Sequence, residues 1–311
     1  MIKYIIKRLL LLIPIILGVA FIIFSIMELT PGDPAVLILG PEAEADAIAA
    51  LRVELGLDQP FFVRFFDYIF KIVTQFDFGN SYRSGKPVFG EILVRLPVSL
   101  KIATYSILVS TLIGVPLGVL SAVKQYSLAD NIFRVTSMVM VAVPSFWMAL
   151  MLIWVFALIL GLLPTSGISS WQCYILPTIS LSALYAGRIL RITRSTMLEC
   201  IRQDYIVTAK AKGLKQSVVT FKHALKNALL PVITTIATSF GGLLGGAIIT
   251  ESVYSMPGLG SYIVLGIKTK DTPSVMGSIV TLATCFTIIM LIVDLVYAFI
   301  DPRIKAKYMK K

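Results

Sequence analysis

Few side chains in this sequence could do chemistry, and their spacing limits what that chemistry could be. Asp294 is the one carboxylate well inside a long apolar stretch, and an ionisable group in such a place is a functional candidate by default. Asp301 follows only seven residues later, so the preferred reading pairs Asp294 with an arginine near the inner interface. Two sets of hydroxyl side chains recur at helical spacing: Thr234, Thr235, Thr238 and Ser239, and then Ser278, Thr281 and Thr284. Thr234, Thr238, Ser278 and Thr281 are the candidates for lining a polar path. The preferred reading of these hydroxyls is packing, since such groups commonly bond to backbone or to neighbouring helices. His223 is the only histidine, which excludes a His-Glu-x-x-His zinc site. It lies in a basic loop, out of reach of any serine in a span, so an intramembrane serine hydrolase lacks its base. Cys173, Cys200 and Cys285 are an odd set without CxxC spacing, so neither a disulfide framework nor a metal site is expected. Ser84-Gly85-Lys86-Pro87 lacks the first glycine and the hydroxyl of a phosphate loop. No catalytic residue is assigned.

The elements that would position these groups are membrane spans. The 311 residues are 57% hydrophobic and only 14% charged, which excludes a soluble globular chain. About 20 apolar residues cross a bilayer. Six stretches qualify: Leu9–Met27, Val98–Val123, Val135–Leu160, Ile175–Met197, Val232–Ile249 and Ser274–Ile300. The net charge of +11 would suit a nucleic-acid partner, but its distribution does not. With the N-terminus inside, the cytoplasmic side carries 19 Lys and Arg against 4 Asp and Glu, and the outer side 9 against 12. That asymmetry reports topology, with both termini cytoplasmic, and no nucleic acid is implied. The opening stretch is longer than a signal-peptide core and lacks a cleavage site, so it is read as a retained span.

Residues 30–96 form a polar insertion outside the membrane. Thr30-Pro31-Gly32-Asp33-Pro34 ends the first span, and Pro41 with Glu42, Glu44 and Asp46 starts a helix that Gly56 ends. Phe61–Phe76 is a second helix whose Arg64, Asp67, Lys71 and Gln75 share one face. It is too short and too polar to span, and either lies along the outer surface or packs on the bundle. Gly114, Pro116 and Gly118 should loosen the end of the second span, and Pro144 should kink the third. Arg188, Arg191 and Arg194 recur every three residues at the inner end of the fourth, facing headgroups or partner acids. In the fifth, Gly241, Gly242, Gly245 and Gly246 offer a close-packing face. Residues 251–266 read as a re-entrant or capping element outside.

The longest polar interruption of the C-terminal two-thirds is residues 198–231. It carries Arg202, Lys210, Lys212, Lys215, Lys222 and Lys226 against Glu199 and Asp204. Thr208, Ala209 and Ala211 lead into Gly213, a helix C-cap that permits a left-handed turn, and a second helix runs to the next span at Pro231. Helix, glycine corner, helix makes a projecting knuckle suited to a cleft on another protein.

The strings DYIVTAKAKGL and HALKNALLP within it resemble the cytoplasmic coupling loop of binding-protein-dependent ABC importer permeases, nearest to the dipeptide, oligopeptide and nickel branch. The general motif reads Glu-Ala-Ala, three residues, Gly. Here Val207-Thr208-Ala209 precedes Lys210-Ala211-Lys212-Gly213, so the leading glutamate is absent and the run to Pro231 is long, as is usual in that branch. ELGLDQPFFVRFFDYI, FDFGNSYRSGKPV and ESVYSMPGLG are similar in wording to the same family, in the subunit with the large first external loop.

The resemblance implies an all-α membrane protein with six transmembrane helices and the type I ABC importer permease fold. It divides into residues 1–97 (first span and insertion), 98–300 (the transmembrane domain) and 301–311 (a basic cytoplasmic tail). Asp204, Tyr205, Thr208, Ala209, Ala211, Gly213, Leu214, His223, Asn227 and Pro231 would form the ATPase-coupling loop. The implied partners are a second homologous permease, two cytoplasmic ATPases that bind the ATP and Mg, an external solute-binding protein and the lipid bilayer. The chain itself would hold no cofactor or metal. Short peptides are the expected cargo, with nickel or a metal chelate as the alternative. A secondary transporter or channel is the more distant alternative, and would need charged groups at mid-membrane.

Overall fold

Backbone groups in lipid must satisfy their own hydrogen bonds, and the long apolar runs accordingly become helices. The computed structural model describes the backbone of residues 2–300 and the side chains of residues 10–293. Among these, five helices are long and apolar enough to cross a membrane: Leu10–Leu29, Val88–Val123, Trp171–Ile201, Gln216–Val253 and Thr272–Val293. The third expected span is broken rather than kinked. Its halves, Leu128–Ala142 and Ser145–Ile159, meet at 99° and make a sixth crossing when counted as one bent span. Pro144 forces Val143 into extended backbone (ψ 123°), which stops the first half and lets the second begin.

The chain folds as two compact units, residues 2–99 with Pro257–Leu291, and Leu100–Met256 with residues 292–300. The segment after Pro257 thus joins residues 30–96 in one unit, which differs from a division at residue 97.

In the first unit, α1 (Ile2–Leu29) is followed by the short α2 (Pro34–Leu39), which the sequence does not announce. Asp33 caps it by accepting from the Ala35 N–H at 2.9 Å, and Pro34 sits at its first position, where no N–H is needed. Helix α3 (Ala45–Glu54) begins four residues after Pro41, and α4 (Phe61–Gln75) closes on Phe76 in a left-handed conformation. Helix α5 (Val88–Val123) starts ten residues before the expected span, so Pro97 lies within it. A core of Ala20, Phe24, Phe65, Phe78, Val88, Ile92, Leu259, Met276 and Val280 gathers α1, α4 and the start of α5 with α12 (Leu259–Lys268) and α13 (Thr272–Ile300).

A buried polar hub holds the same unit together. Asp271 accepts from Ser81 Oγ at 2.5 Å, the Tyr82 N–H at 3.0 Å and Ser274 Oγ at 2.7 Å. Its neighbour Lys270, also buried, donates from Nζ to the Met27 and Thr30 carbonyls at the end of α1, where a cation meets the negative end of the helix.

The second unit is built around α8 (Ile175–Ile201), reached through a tight turn at Trp171–Tyr174. Against α8 pack the end of α5, α6 (Leu128–Ala142), α7 (Ser145–Leu152, continued as a π-helical stretch Ile153–Ile159) and α11 (Lys226–Val253). Gly114 and Gly118 do not loosen α5, which runs on unbroken. A Cβ at either would lie within 3 Å of α8, at Ile189 and the Ala186 carbonyl, or at Thr193 and the Leu190 carbonyl. They are the points of closest helix approach. Of the glycines in α11, Gly242 and Gly246 pack on Tyr185 and Leu181, whereas Gly245 meets open space. Helix α11 also extends through Val253, so Glu251 does not begin a re-entrant or capping element but is buried in the last turn of α11.

Candidate functional site

Helix α8 ends at Ile201, and the chain turns into α9 (Asp204–Ala211), whose first turn carries Asp204 where a helix N-terminus favours an acid. Thr208 folds its hydroxyl back onto the Asp204 carbonyl at 3.0 Å. Alternate sides of α9 then do different work. Ile206 and Ala209 are buried, while Asp204, Tyr205, Val207, Thr208, Lys210 and Ala211 face outward.

The corner follows from backbone geometry. Gly213 has φ +72°, the Leu214 N–H returns to the Ala209 carbonyl at 3.4 Å, and the Gly213 N–H returns to the Lys210 carbonyl at 2.9 Å. This pair of bonds is the Schellman arrangement, and it satisfies carbonyls that the helix end would otherwise leave open. Nothing lies within 4 Å of the place a Gly213 Cβ would occupy, so the glycine is required by its φ and not by space.

The second arm begins at α10 (Gln216–Val218), widens into a π-helical stretch Val219–Leu225, and continues unbroken into α11 with Pro231 inside the helix. The sequence signals no widening there. His223 is half-buried, and its carbonyl accepts from Asn227 Nδ2 at 3.0 Å. Partial burial pushes the Tyr205 phenol above the ordinary range.

Beneath the knuckle a separate apolar core joins Val119 and Ala122 of α5, Met197 of α8, Ile206 and Ala209 of α9, and Val219, Ala224 and Ala228 of the second arm. The knuckle is therefore a packed extension of α8 and α11 rather than a free loop. Its outer surface presents Tyr205, Val207, Leu214 and Phe221 among Lys210, Lys212, Lys215 and Lys222. An apolar patch rimmed by cations suits a cleft with an acidic edge.

One residue that sequence reasoning passed over stands beside this platform. Asp130, fully buried at the start of α6, accepts from Ser121 Oγ at 2.5 Å and from the Tyr126 N–H at 3.0 Å. Arg194 of α8 adds two further bonds, at 2.7 and 2.9 Å. Tyr126 takes φ 66° at the turn that aims its N–H at the carboxylate. Of the arginine row, then, Arg194 turns inward to an acid of the same chain, while Arg188 and Arg191 stay exposed. The sequence places Asp130 in a short loop, where nothing local marks it as a partner.

The candidate path hydroxyls mostly serve their own helices. Thr234 bonds to the Leu230 carbonyl, Thr238 to the Thr234 carbonyl and Thr281 to the Gly277 carbonyl, at 2.8–3.0 Å. Ser278 is fully buried and its hydroxyl has no partner among the described residues. The side chain of Asp294 lies outside the described residues. Elsewhere in the second unit, Lys101, Tyr105, Trp171, Tyr174 and Thr178 line a groove of about 730 Å³, with the two tyrosine rings edge to face at 6.0 Å. Among the described residues, no group of three His, Cys, Asp or Glu is placed to hold a metal.

Comparison with known proteins bears on the family and the fold. Residues 114–306 match the family described as the binding-protein-dependent transport system inner membrane component, and residues 1–103 match its N-terminal region. The dipeptide transport system permease protein DppB of Alkalihalophilus pseudofirmus is 42% identical over 333 residues, covering 98% of this chain and 100% of that protein. The glutathione transport system permease protein GsiC of Salmonella choleraesuis is 41% identical over 307 residues, covering 99% and 100%. A solved structure of the inward-facing MetNI methionine ABC transporter superposes with a TM-score of 0.57 over 68% of this chain and 96% of that one. Its 18% identity makes that likeness one of fold, the type I ABC importer permease fold. By profile, by relatives and by fold, the chain belongs to the family of binding-protein-dependent transport system inner membrane components.

Proposed function

We propose that this chain is the large-loop permease of a heterodimeric importer of short peptides. Family membership makes it a multi-pass membrane permease that works with ATPase and binding-protein partners. The finer reading pairs it with one homologous permease, docks two ATPases beneath and receives peptide from a solute-binding protein outside. Both termini lie in the cytoplasm and residues 30–96 lie outside. The chain catalyses nothing and holds no cofactor, since ATP and Mg belong to the ATPases.

The observation that carries this reading is the knuckle's seating on the shared core of α5, α8, α9 and the second arm. A push on Tyr205, Val207 or Leu214 enters two spans directly, because α8 and α11 run into the knuckle. The Asp130–Arg194 pair passes the motion from α8 to α6. Closure of the ATPases is thereby converted into movement of packed helices as bodies, not into bending of a loop. Peptide cargo is supported by the relatives named for dipeptide and glutathione. It is supported also by a mainly apolar groove in which one ammonium, ring faces and hydroxyls lie among aliphatic side chains, a lining that suits a peptide better than a bare metal ion.

Uptake by a strain lacking this subunit tests the cargo. Loss of di- and tripeptide uptake is expected, with nickel accumulation unchanged. Loss of nickel accumulation with peptide uptake intact would overturn the peptide reading and leave the coupling reading standing.

A further inference from the structure

Helix α4 has three faces rather than two. Phe61, Phe65, Tyr68, Ile69 and Ile72 pack into the core of the first unit. Arg64, Asp67 and Lys71 form a charged stripe, in which Arg64 meets Glu28 of α1 at 2.5 Å and Lys71 meets Asp67 at 2.7 Å. Phe62, Val63, Phe66, Phe70 and Val73 make the third face, each 52–68% exposed. At 3.6 residues per turn these five share one sector of about 100° that contains no polar side chain.

What covers that sector follows from depth, continuity and charge. The Phe61 and Phe65 rings meet Phe21 and Phe24 of α1 with centroids 5.1–5.9 Å apart. Phe21 and Phe24 lie five to eight residues inside the end of the span at Leu29, roughly 8–12 Å below it at the helical rise. The start of α4 is thus at the level of the apolar band of α1, not above it. Phe21 is itself 41% exposed, and Ile22 and Ile26 beside it are exposed and apolar, so the outer faces of the two helices join. The Arg64–Glu28 pair sits on the side of α4 facing the end of the span, where headgroups and water begin.

We propose that α4 is an in-plane membrane anchor, with the face from Phe62 to Val73 seated among the acyl chains beside α1. The leaflet concerned, the outer one, rests on the orientation proposed above. Apolar side chains on one face and charges on another are what an interfacial helix needs. A docking surface for a soluble binding protein would carry hydrogen-bonding groups among its apolar ones.

Nitroxide accessibility tests this on the assembled complex in phospholipid nanodiscs, with native cysteines removed from every subunit. Single labels go on Phe66→Cys and Phe70→Cys, with Ile22→Cys as the lipid reference and Gln75→Cys as the polar one. Positions 66 and 70 should collide with oxygen several-fold more than with a water-soluble nickel chelate, as position 22 does, and position 75 should show the reverse. Chelate-dominated collisions at 66 and 70 would overturn the anchor in favour of a wet surface. Exclusion of both reagents would overturn it in favour of a protein partner. Should Phe66→Cys fail to assemble, Val73→Cys on the same face carries the reading. The collision ratio does not depend on which leaflet is entered. An error in the orientation therefore leaves it unchanged and appears only in reagent labelling from the two sides.

Discussion

Arg194 grips Asp130 with both ends of its guanidinium fork, Nε to Oδ1 at 2.7 Å and Nη2 to Oδ2 at 2.9 Å. Parallel bonds of this kind fix direction as well as distance. With Ser121 and the Tyr126 N–H on the same carboxylate, α8 is pinned to the end of α5 and the start of α6.

Replacing Arg194 by alanine strands a buried carboxylate. The expected cost is about 3 kcal/mol, the low end for breaking a buried pair, because the arginine is 19% exposed. The purified complex should melt lower, and transport should fall further than the loss of folded protein explains. Pairing Asp130→Leu with Arg194→Met should recover most of the melting temperature, since no lone charge remains, yet leave coupling impaired. Normal transport by the double variant would remove the pair from the coupling route.

At Gly213 the test separates backbone from side chain. Valine at φ +72° costs about 2 kcal/mol of local strain, although the space around it is open. Gly213→Val should abolish substrate-stimulated ATP hydrolysis by the complex while the spans still insert. Asparagine tolerates the left-handed region, so Gly213→Asn should retain most of the stimulation. Equal loss in both variants would mean that the site excludes side chains, and the corner would not be the reason for the glycine.

Orientation is open to labelling. A cysteine at exposed Ser84 should react with an impermeant thiol reagent added to intact cells, and one at Lys307 should not. The opposite pattern would reverse the topology and place the knuckle outside.

Much of this was legible because it is local. Charge and apolar length mark the spans. Alanines and lysines ending in Gly213 announce a helix and its corner. The spacing of Arg64, Asp67 and Lys71 gives the polar stripe of α4. What escaped is what depends on a distant partner. Asp130 and Arg194 are 64 residues apart, and neither looks committed in its own neighbourhood. Gly114 and Gly118 read as weak points because glycine costs helix stability; their value appears only once α8 lies against them. A proline announces a kink at Val143–Pro144, but the full 99° break appears only in the structure, where Val143 is extended. Residues 251–266 read as a re-entrant or capping element because SMPGLG is too broken for a span, and only the burial of Glu251 within α11 moves that start point.

The hub at Asp271 bears on the order of biogenesis. Its carboxylate meets Ser81 and Tyr82 across some 190 positions of sequence. On a ribosome adding about 5–20 residues per second, the loop around Ser81 waits roughly 10–40 s for that carboxylate to be made. Lys270 arrives with it and closes onto the end of α1, the first helix synthesised. The first unit is therefore begun earliest and completed late in synthesis, whereas residues 100–256 of the second unit are contiguous and can pack before translation ends. A nascent chain halted before residue 270 would already carry its knuckle while the loop at Ser81 still lacked its anchor.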